Sequence, residues 1–412
     1  DLWSGVGLVV ASMVGTGVLV SNGFMSSALS PTQTFAVWVV QALMAIAGAL
    51  AYSRIAQMIP RSGGEYRYLS ELFHPALGYL AGWTSLLVGF AAPVATAAAT
   101  AGSFAEEAGL GISPRVTAGA VIALVTFFQI VDLQTAKWTQ NFLVVVKAAL
   151  FLLLITVGFT WGSSHVPVDA PAAAGAEVFA INLFFAAYAF SGWNASIYVA
   201  EEFAHPTRDV ARSMIIGVLG VTLLYLAVTY VFVFNLTPAD IASMGDSAER
   251  GAHLIVAKLI GDDAARIASI GIVLVLVSSA NALTFVGPRV NAAMAADGYL
   301  PRFFVAKSGR PPTAAVVFQG CIAMALMLSH SLHGLISNVG MMLTLMSAIT
   351  VLGLVRVRFF PRDHERGERM GPLALSAAAV YFLAACWMLY YAVTMGSSGI
   401  VWVCLLYTSP SP

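Results

Sequence analysis

Residues 9–23 read VVASMVGTGVLVSNG, an apolar run interrupted halfway by Gly15-Thr16-Gly17. A second run, FFAAYAFSGWNASIYVAEE at 184–202, is interrupted in the same way by Ser191-Gly192. Glycine in a helix interior costs roughly 1 kcal/mol against alanine. Small residues also let membrane helices pack closely, so either run taken alone has two readings. Their places in the chain favour a break. About 20 apolar residues span a bilayer as a helix, and that ruler finds spans near 2–25, 33–56, 76–105, 115–132, 138–161, 177–200, 211–236, 265–292, 313–330, 333–357 and 372–395. The interrupted runs are spans one and six. They lie five helices apart, an odd number, so they enter the membrane from opposite sides. Matching breaks in corresponding helices of two inverted halves are the sequence pointer to a transporter's binding site.

Unwound backbone must find new partners for its N–H and C=O groups. The second half of span one begins at Gly15-Thr16-Gly17, so its free N–H groups and positive dipole end face an anion such as a carboxylate. The first half of span six ends near Tyr188-Ala189-Phe190, so its free carbonyls and negative end suit an ammonium group. Together the breaks describe a receptor for a zwitterion. Glycine serves there because a side chain would hold the carboxylate away from the backbone.

Composition agrees with a membrane protein. Of 412 residues 59% are hydrophobic and only 10% charged, against about 25% charged in a soluble domain; mean hydropathy is +0.84. This excludes an ordinary cytosolic enzyme, a disordered chain and a basic nucleic-acid binder. Twenty Lys and Arg balance twenty Asp and Glu. With the N-terminus placed inside, fifteen of the twenty basic residues fall in inner loops and only Arg115, Arg250, Lys258 and Arg266 in outer ones. Such a bias predicts a cytoplasmic N-terminus. Cys321, Cys386 and Cys404 all sit in apolar stretches and suggest neither a disulfide framework nor a metal site. Residues 57–75 (QMIPRSGGEYRYLSELFHP) predict an interfacial helix on the inner side, and 237–264 a short surface helix on the outer side. A twelfth span starts at Gly399 and is cut off by YTSPSP, so a truncated helix is expected there; with no initiator methionine, the start also looks trimmed.

Five blocks of residues resemble the amino acid–polyamine–organocation superfamily of secondary transporters, in the family's order. They are Gly15-Thr16-Gly17; Pro60-Arg61-Ser62-Gly63-Gly64-Glu65-Tyr66; Gly78 with Gly82-Trp83; Ser191-Gly192-Trp193-Asn194 with Glu201-Glu202 and His205-Pro206-Thr207-Arg208-Asp209; and Arg289 through Pro301. Gly-Trp-Asn in span six most resembles the L-type amino acid transporter branch and its bacterial relatives. The resemblance implies an all-α polytopic membrane protein with a LeuT-type five-plus-five inverted repeat. Its transport core would be 1–357, with repeat one about 1–161 and repeat two about 177–357, followed by 358–412 with helix eleven and an incomplete helix twelve. Carried over by motif, the Thr16 and Gly17 N–H groups hold the carboxylate and the Met13 and Tyr188 carbonyls hold the amine. The Tyr188 ring would then be an aromatic lid and gate, with Ala189, Ser191 and Asn194 at the pocket; from their place at the inner end of span six, Glu201 and Glu202 are expected to pair with loop arginines such as Arg54 or Arg61 as part of an inner gate. For Tyr188 a packing aromatic, for Asn194 an interhelical hydrogen bond and for the glutamates a solvated helix end are the alternatives. Eukaryotic members of the branch carry a cysteine between spans three and four for a heavy subunit. Here that loop, GLGISPR, has none, so no disulfide-linked partner is expected, and a monomer or weak homodimer is.

Lys147 is the one basic residue left inside a span, in QNFLVVVKAALFLLL, about 14 Å from the start of span five at about 1.5 Å per residue. A lysine so placed normally faces the bundle interior and a partner, snorkelling to an interface being the alternative. The resemblance implies that its ammonium replaces the sodium ion of sodium-coupled relatives, with the backbone at Gly15 and the hydroxyls of Ser278 and Ser279 as partners. No acidic residue sits at mid-depth in spans one, three, six, eight or ten, which favours neutral substrates over cationic ones, and Ala91, Ala92, Ala189 and Ser191 leave room for a side chain.

The expected function is a sodium-independent permease or exchanger for neutral L-amino acids, in a bacterial inner membrane, using no cofactor and no metal. A proton-coupled carrier of cationic amino acids or polyamines is the alternative within the same superfamily. A channel would want a continuous polar stripe, a sensor a soluble domain, and an enzyme paired carboxylates or a His cluster; none is legible. HExxH, GxGxxG, Walker and GxSxG motifs are likewise absent from the sequence.

Overall fold

The computed structural model describes residues 2–396 except Thr16, Ser62, Asp132, 164–171, Asp246, 306–311 and 366–370, and gives no side-chain environment for 133–144, Glu202, Ala248, Ala293 and His364. A helix underlies each of the eleven expected spans. Span one is a bent pair, α1 (Leu2–Met13) and α2 (Gly17–Ala28), angled by 42°. Span two is α3 (Pro31–Met58), followed by the short α4 (Gly64–Leu72). Span three runs from α5 (Pro75–Thr84) through a widened π-type turn, Ser85–Ala91, into α6 (Ala92–Glu107). Spans four and five are α7 (Pro114–Val131) and α8 (Leu133–Thr160). Span six is α9 (Ala176–Ala189), then an unwound stretch and a 3-10 helix, Ala195–Glu202. Span seven is α10 (Pro206–Asn235), and the outer loop holds α11 (Pro238–Met244) and α12 (Gly251–Leu259). The remaining spans are α13 (Asp262–Ala296), α14 (Thr313–Ser329), α15 (Leu332–Phe359) and α16 (Pro372–Thr394).

Among the described residues seven of these runs are single helices long and apolar enough to cross a membrane, and α1 with α2 makes an eighth. The apolar helices at positions five, six and nine are shorter over their described lengths. The chain is an all-α, multi-pass membrane protein. The expected twelfth helix lies in 397–412, outside the described residues.

Local sequence sets the ends. Pro31, Pro75, Pro206, Pro238 and Pro372 occupy first-turn positions, where a missing N–H costs nothing. Ser30 with Gln33, and Thr237 with Asp240, form capping boxes. The π-type turn has a covalent cause: Pro93 has no N–H to give the carbonyl of Gly89, four residues back, and the turn before it opens. Helix α3 packs along α10 and α16, α6 lies between α7 and α13, and α1 runs along α10. Helix α2 packs on α9, which brings the two broken spans together.

Helix α4 was expected to lie along the bilayer surface. It buries Glu65, Tyr66, Tyr68, Leu69 and Leu72 and packs against α5 and α15.

Candidate functional site

The two breaks cross each other. A Cβ added to Gly17 would lie 2.5 Å from Ala189 Cα, so the first residue of α2 sits directly on the last residue of α9. Gly192, at φ +95°, is in the left-handed region that glycine tolerates best, and a Cβ there would lie 2.8 Å from Ser12 Cβ, in the last turn of α1. The helices therefore present four ends at one place. Helices α1 and α9 end there with their C-terminal, negative ends, and α2 and the 3-10 stretch 195–202, which is kinked at Val199, begin there with their positive ends. Met13, Tyr188 and Ala189 are buried at this crossing, and Ser191 and Asn194 are half-buried beside it. Thr16 lies outside the described residues.

The carbonyls at these ends already have partners. Tyr225, fully buried on α10, donates its hydroxyl to the carbonyls of both Met13 and Ala189, 2.8 Å from each. One proton thus bridges the C-terminal ends of the two broken spans in a three-centre bond. The Tyr188 carbonyl accepts the Ser191 N–H at 3.0 Å, part of the tight turns that hold 190–194. The Tyr188 hydroxyl pairs with Thr96 on α6 at 2.5 Å, so the expected lid ring is tethered to span three. Sequence reading missed Tyr225 and Thr96. The available signal was a phenol inside the apolar run YLAVTYVFVF, since a buried tyrosine hydroxyl normally finds an acceptor. Tyr225→Phe leaves two buried carbonyls short of a donor, at about 1–3 kcal/mol. A lowered midpoint of thermal unfolding in detergent is expected, and an unchanged midpoint would show that the shared bond holds nothing together.

Lys147 is buried, and its Nζ donates to the carbonyl of Ala11 at 3.4 Å. Ala11 is one of the last four residues of α1, whose carbonyls have no partner within a helix that stops at Met13; the same end carries the negative dipole. The bond falls four residues before Gly15. The hydroxyls of Ser278 and Ser279 on α13 are buried without a hydrogen-bond partner among the described residues, and Ser279 Oγ faces Gly15, 3.5 Å from where a Cβ would stand. Lysine and serines thus approach the break from two sides and are not joined to each other. A separate cleft of about 220 Å³ runs between α8, α12 and α13 as far as Gly15. Its walls are apolar, Leu150, Phe151, Val256 and Ile272 among them.

On the arginine-rich side, Glu201 is exposed and the side chain of Glu202 lies outside the described residues. Arg61 pairs with Glu71 at 3.4 Å, and Arg54 donates to Gln57 at 3.1 Å. The larger closure there is α4. Tyr66 and Arg67 bind Asp297 at the end of α13, at 2.7 and 3.3 Å. Arg356 of α15 binds the Leu72 carbonyl and Glu365. Gly64, at φ +59°, lies against the Tyr198 ring of span six. The motif Arg61 to Tyr66 therefore fastens the ends of four spans together.

Comparison with known proteins agrees with this architecture. The chain resembles the b(0,+)-type amino acid transporter 1 of Mus musculus, 24% identical over 97% of this chain and 86% of that protein. It also resembles the large neutral amino acids transporter small subunit 2 of Homo sapiens, 26% identical over 89% and 70%. Residues 1–409 match the family model described as amino acid permease. A multi-pass helical bundle with two crossed, broken spans and a match over nearly its whole length make this chain a member of the amino acid permease family, an amino acid transporter and not an enzyme.

Proposed function

We propose that the protein carries neutral L-amino acids across the membrane by sodium-independent alternating access. The observation that carries this reading is the crossing of the two breaks, with two negative and two positive helix ends at one buried point. A zwitterion needs one of each. Its carboxylate would take the N–H groups of Thr16 and Gly17, and its ammonium would approach the carbonyls now shared by Tyr225 and those of the 188–191 turn. Neutral side chains are favoured because no acidic side chain of spans one, three or six stands at the crossing to offset a second positive charge. Lys147 supplies a fixed cation at the end of α1, the role a bound sodium ion would otherwise take. In this reading spans one to five and six to ten are two inverted halves, and the arginine distribution supports a cytoplasmic N-terminus.

Counterflow in proteoliposomes with a panel of labelled amino acids tests this. Exchange of neutral amino acids, equal in sodium and in choline buffer, is expected; exchange of polyamines or cationic amino acids alone would overturn the substrate class.

A further inference from the structure

Glu65 is a buried carboxyl group that the transport reading does not use. It sits on the first turn of α4 and is 5% exposed. Two hydroxyls from two spans converge on it: Tyr52 of α3 and, at 3.0 Å, Ser347 of α15. Both donate to the same oxygen, Oε1. Such donors favour the ionised form, while burial with no cation paired to it opposes ionisation. No arginine, lysine or histidine among the described residues forms an ion pair with it. The groups facing it are phenols, Tyr52 from α3, Tyr198 from span six and Tyr381 from α16. Phenols titrate near pH 10 in water and bring no charge at physiological pH. The charged pairs on α4 point elsewhere, Arg67 to Asp297 and Arg61 to Glu71, and Arg356 is held by Glu365 at the far end of the helix.

Helix α4 fastens the ends of spans two, six, eight and ten, so opening the arginine-rich side must separate its buried face from them. That movement would carry Glu65 from an apolar setting into water.

We propose that Glu65 is a proton-binding site of this latch: its carboxyl holds a proton while α4 is docked and releases it to water when α4 lifts. Burial, opposed by the Tyr52 and Ser347 hydrogen bonds, pushes the carboxyl above its ordinary range. The sign follows. The docked state binds the proton more tightly, so acid keeps the latch shut, and rising pH favours the open, ionised form. Each unit by which docking raises the affinity for the proton is worth about tenfold in the latch equilibrium. The inference rests on the transport reading for its assay.

The experiment is counterflow of a transported neutral amino acid at pH 5.5 to 8, equal on both faces of the vesicle so that orientation does not matter. Displaceable binding of the same amino acid at pH 7.5 is measured in parallel. Wild-type exchange is expected to slow about fivefold on acidification, a shift of less than one decade in the latch equilibrium. Glu65→Gln, a permanent mimic of the neutral form, is expected to exchange at one slow rate across the range. Tyr52→Phe removes a donor that favours the ionised form, so the wild-type profile should move to higher pH. A Glu65→Gln profile that keeps the wild-type acid limb, or a Tyr52→Phe midpoint that does not move, overturns the proposal. Absence of amino acid binding in the wild type overturns the transport reading instead.

Discussion

Lys147→Ala is expected to reduce neutral amino acid counterflow more than tenfold, with the wild type equally active in sodium and in choline buffer. The expectation follows from what the ammonium touches. It reaches from α8 to the Ala11 carbonyl, in the last turn of α1, where carbonyls lack helical partners and the helix dipole is negative. Truncation leaves that buried acceptor unmet, at about 1–3 kcal/mol, and unties α1 from span five. The crossing of the breaks depends on where α1 ends, so the loss falls on the binding site although the lysine does not touch it. Counterflow in the two buffers separates the possibilities. Stimulation of the wild type by sodium would contradict a fixed cation in place of a bound one, and an active Lys147→Ala would contradict the tether.

Gly17→Ala is expected to weaken amino acid binding at least tenfold. The added carbon would stand 2.5 Å from Ala189 Cα and 3.3 Å from its N. These are backbone atoms on a helix end and cannot swing aside as a side chain can. Overpacking of this kind costs about 1–3 kcal/mol, and relief comes only by parting the two breaks. Gly220→Ala is the matched control: it lies within α10 with nothing inside 4 Å of the new carbon, and it should bind like the wild type. Displacement of a labelled neutral amino acid from purified protein reads both. Equal affinity in Gly17→Ala would mean that the crossing has slack and is not the binding point.

The features legible in the sequence were those with a strong covalent or solvation cause. Glycines inside apolar runs announced the breaks, and the structure unwinds spans one and six at those places. Lys147 stood out because a lysine near mid-span reaches either interface poorly by snorkelling and so calls for a buried partner. Its partner was not legible, because which acceptor it meets depends on how α8 is rotated against α1; the contact falls at Ala11, while Ser278 and Ser279 stay unpartnered. Tyr225 was hidden for a similar reason. One tyrosine among many apolar residues says nothing until α10 is laid against both helix ends. Glu65 was visible only as one letter of a motif, and its burial comes from α4 docking under the bundle.

The widened turn at Ser85–Ala91 also changes how the chain is to be compared with relatives. A π-type turn amounts to one residue inserted into an α-helix. Each residue of an α-helix turns the chain by about 100°, so everything after the insertion faces a different way than an even helix would give. Thr96, which meets Tyr188, lies beyond that turn and so in the shifted register. An ungapped comparison through span three with a protein lacking the extra residue would pair correct residues on one side of Pro93 and wrong ones on the other. At this point a gap inside a membrane helix, ordinarily a sign of misalignment, is the correct alignment.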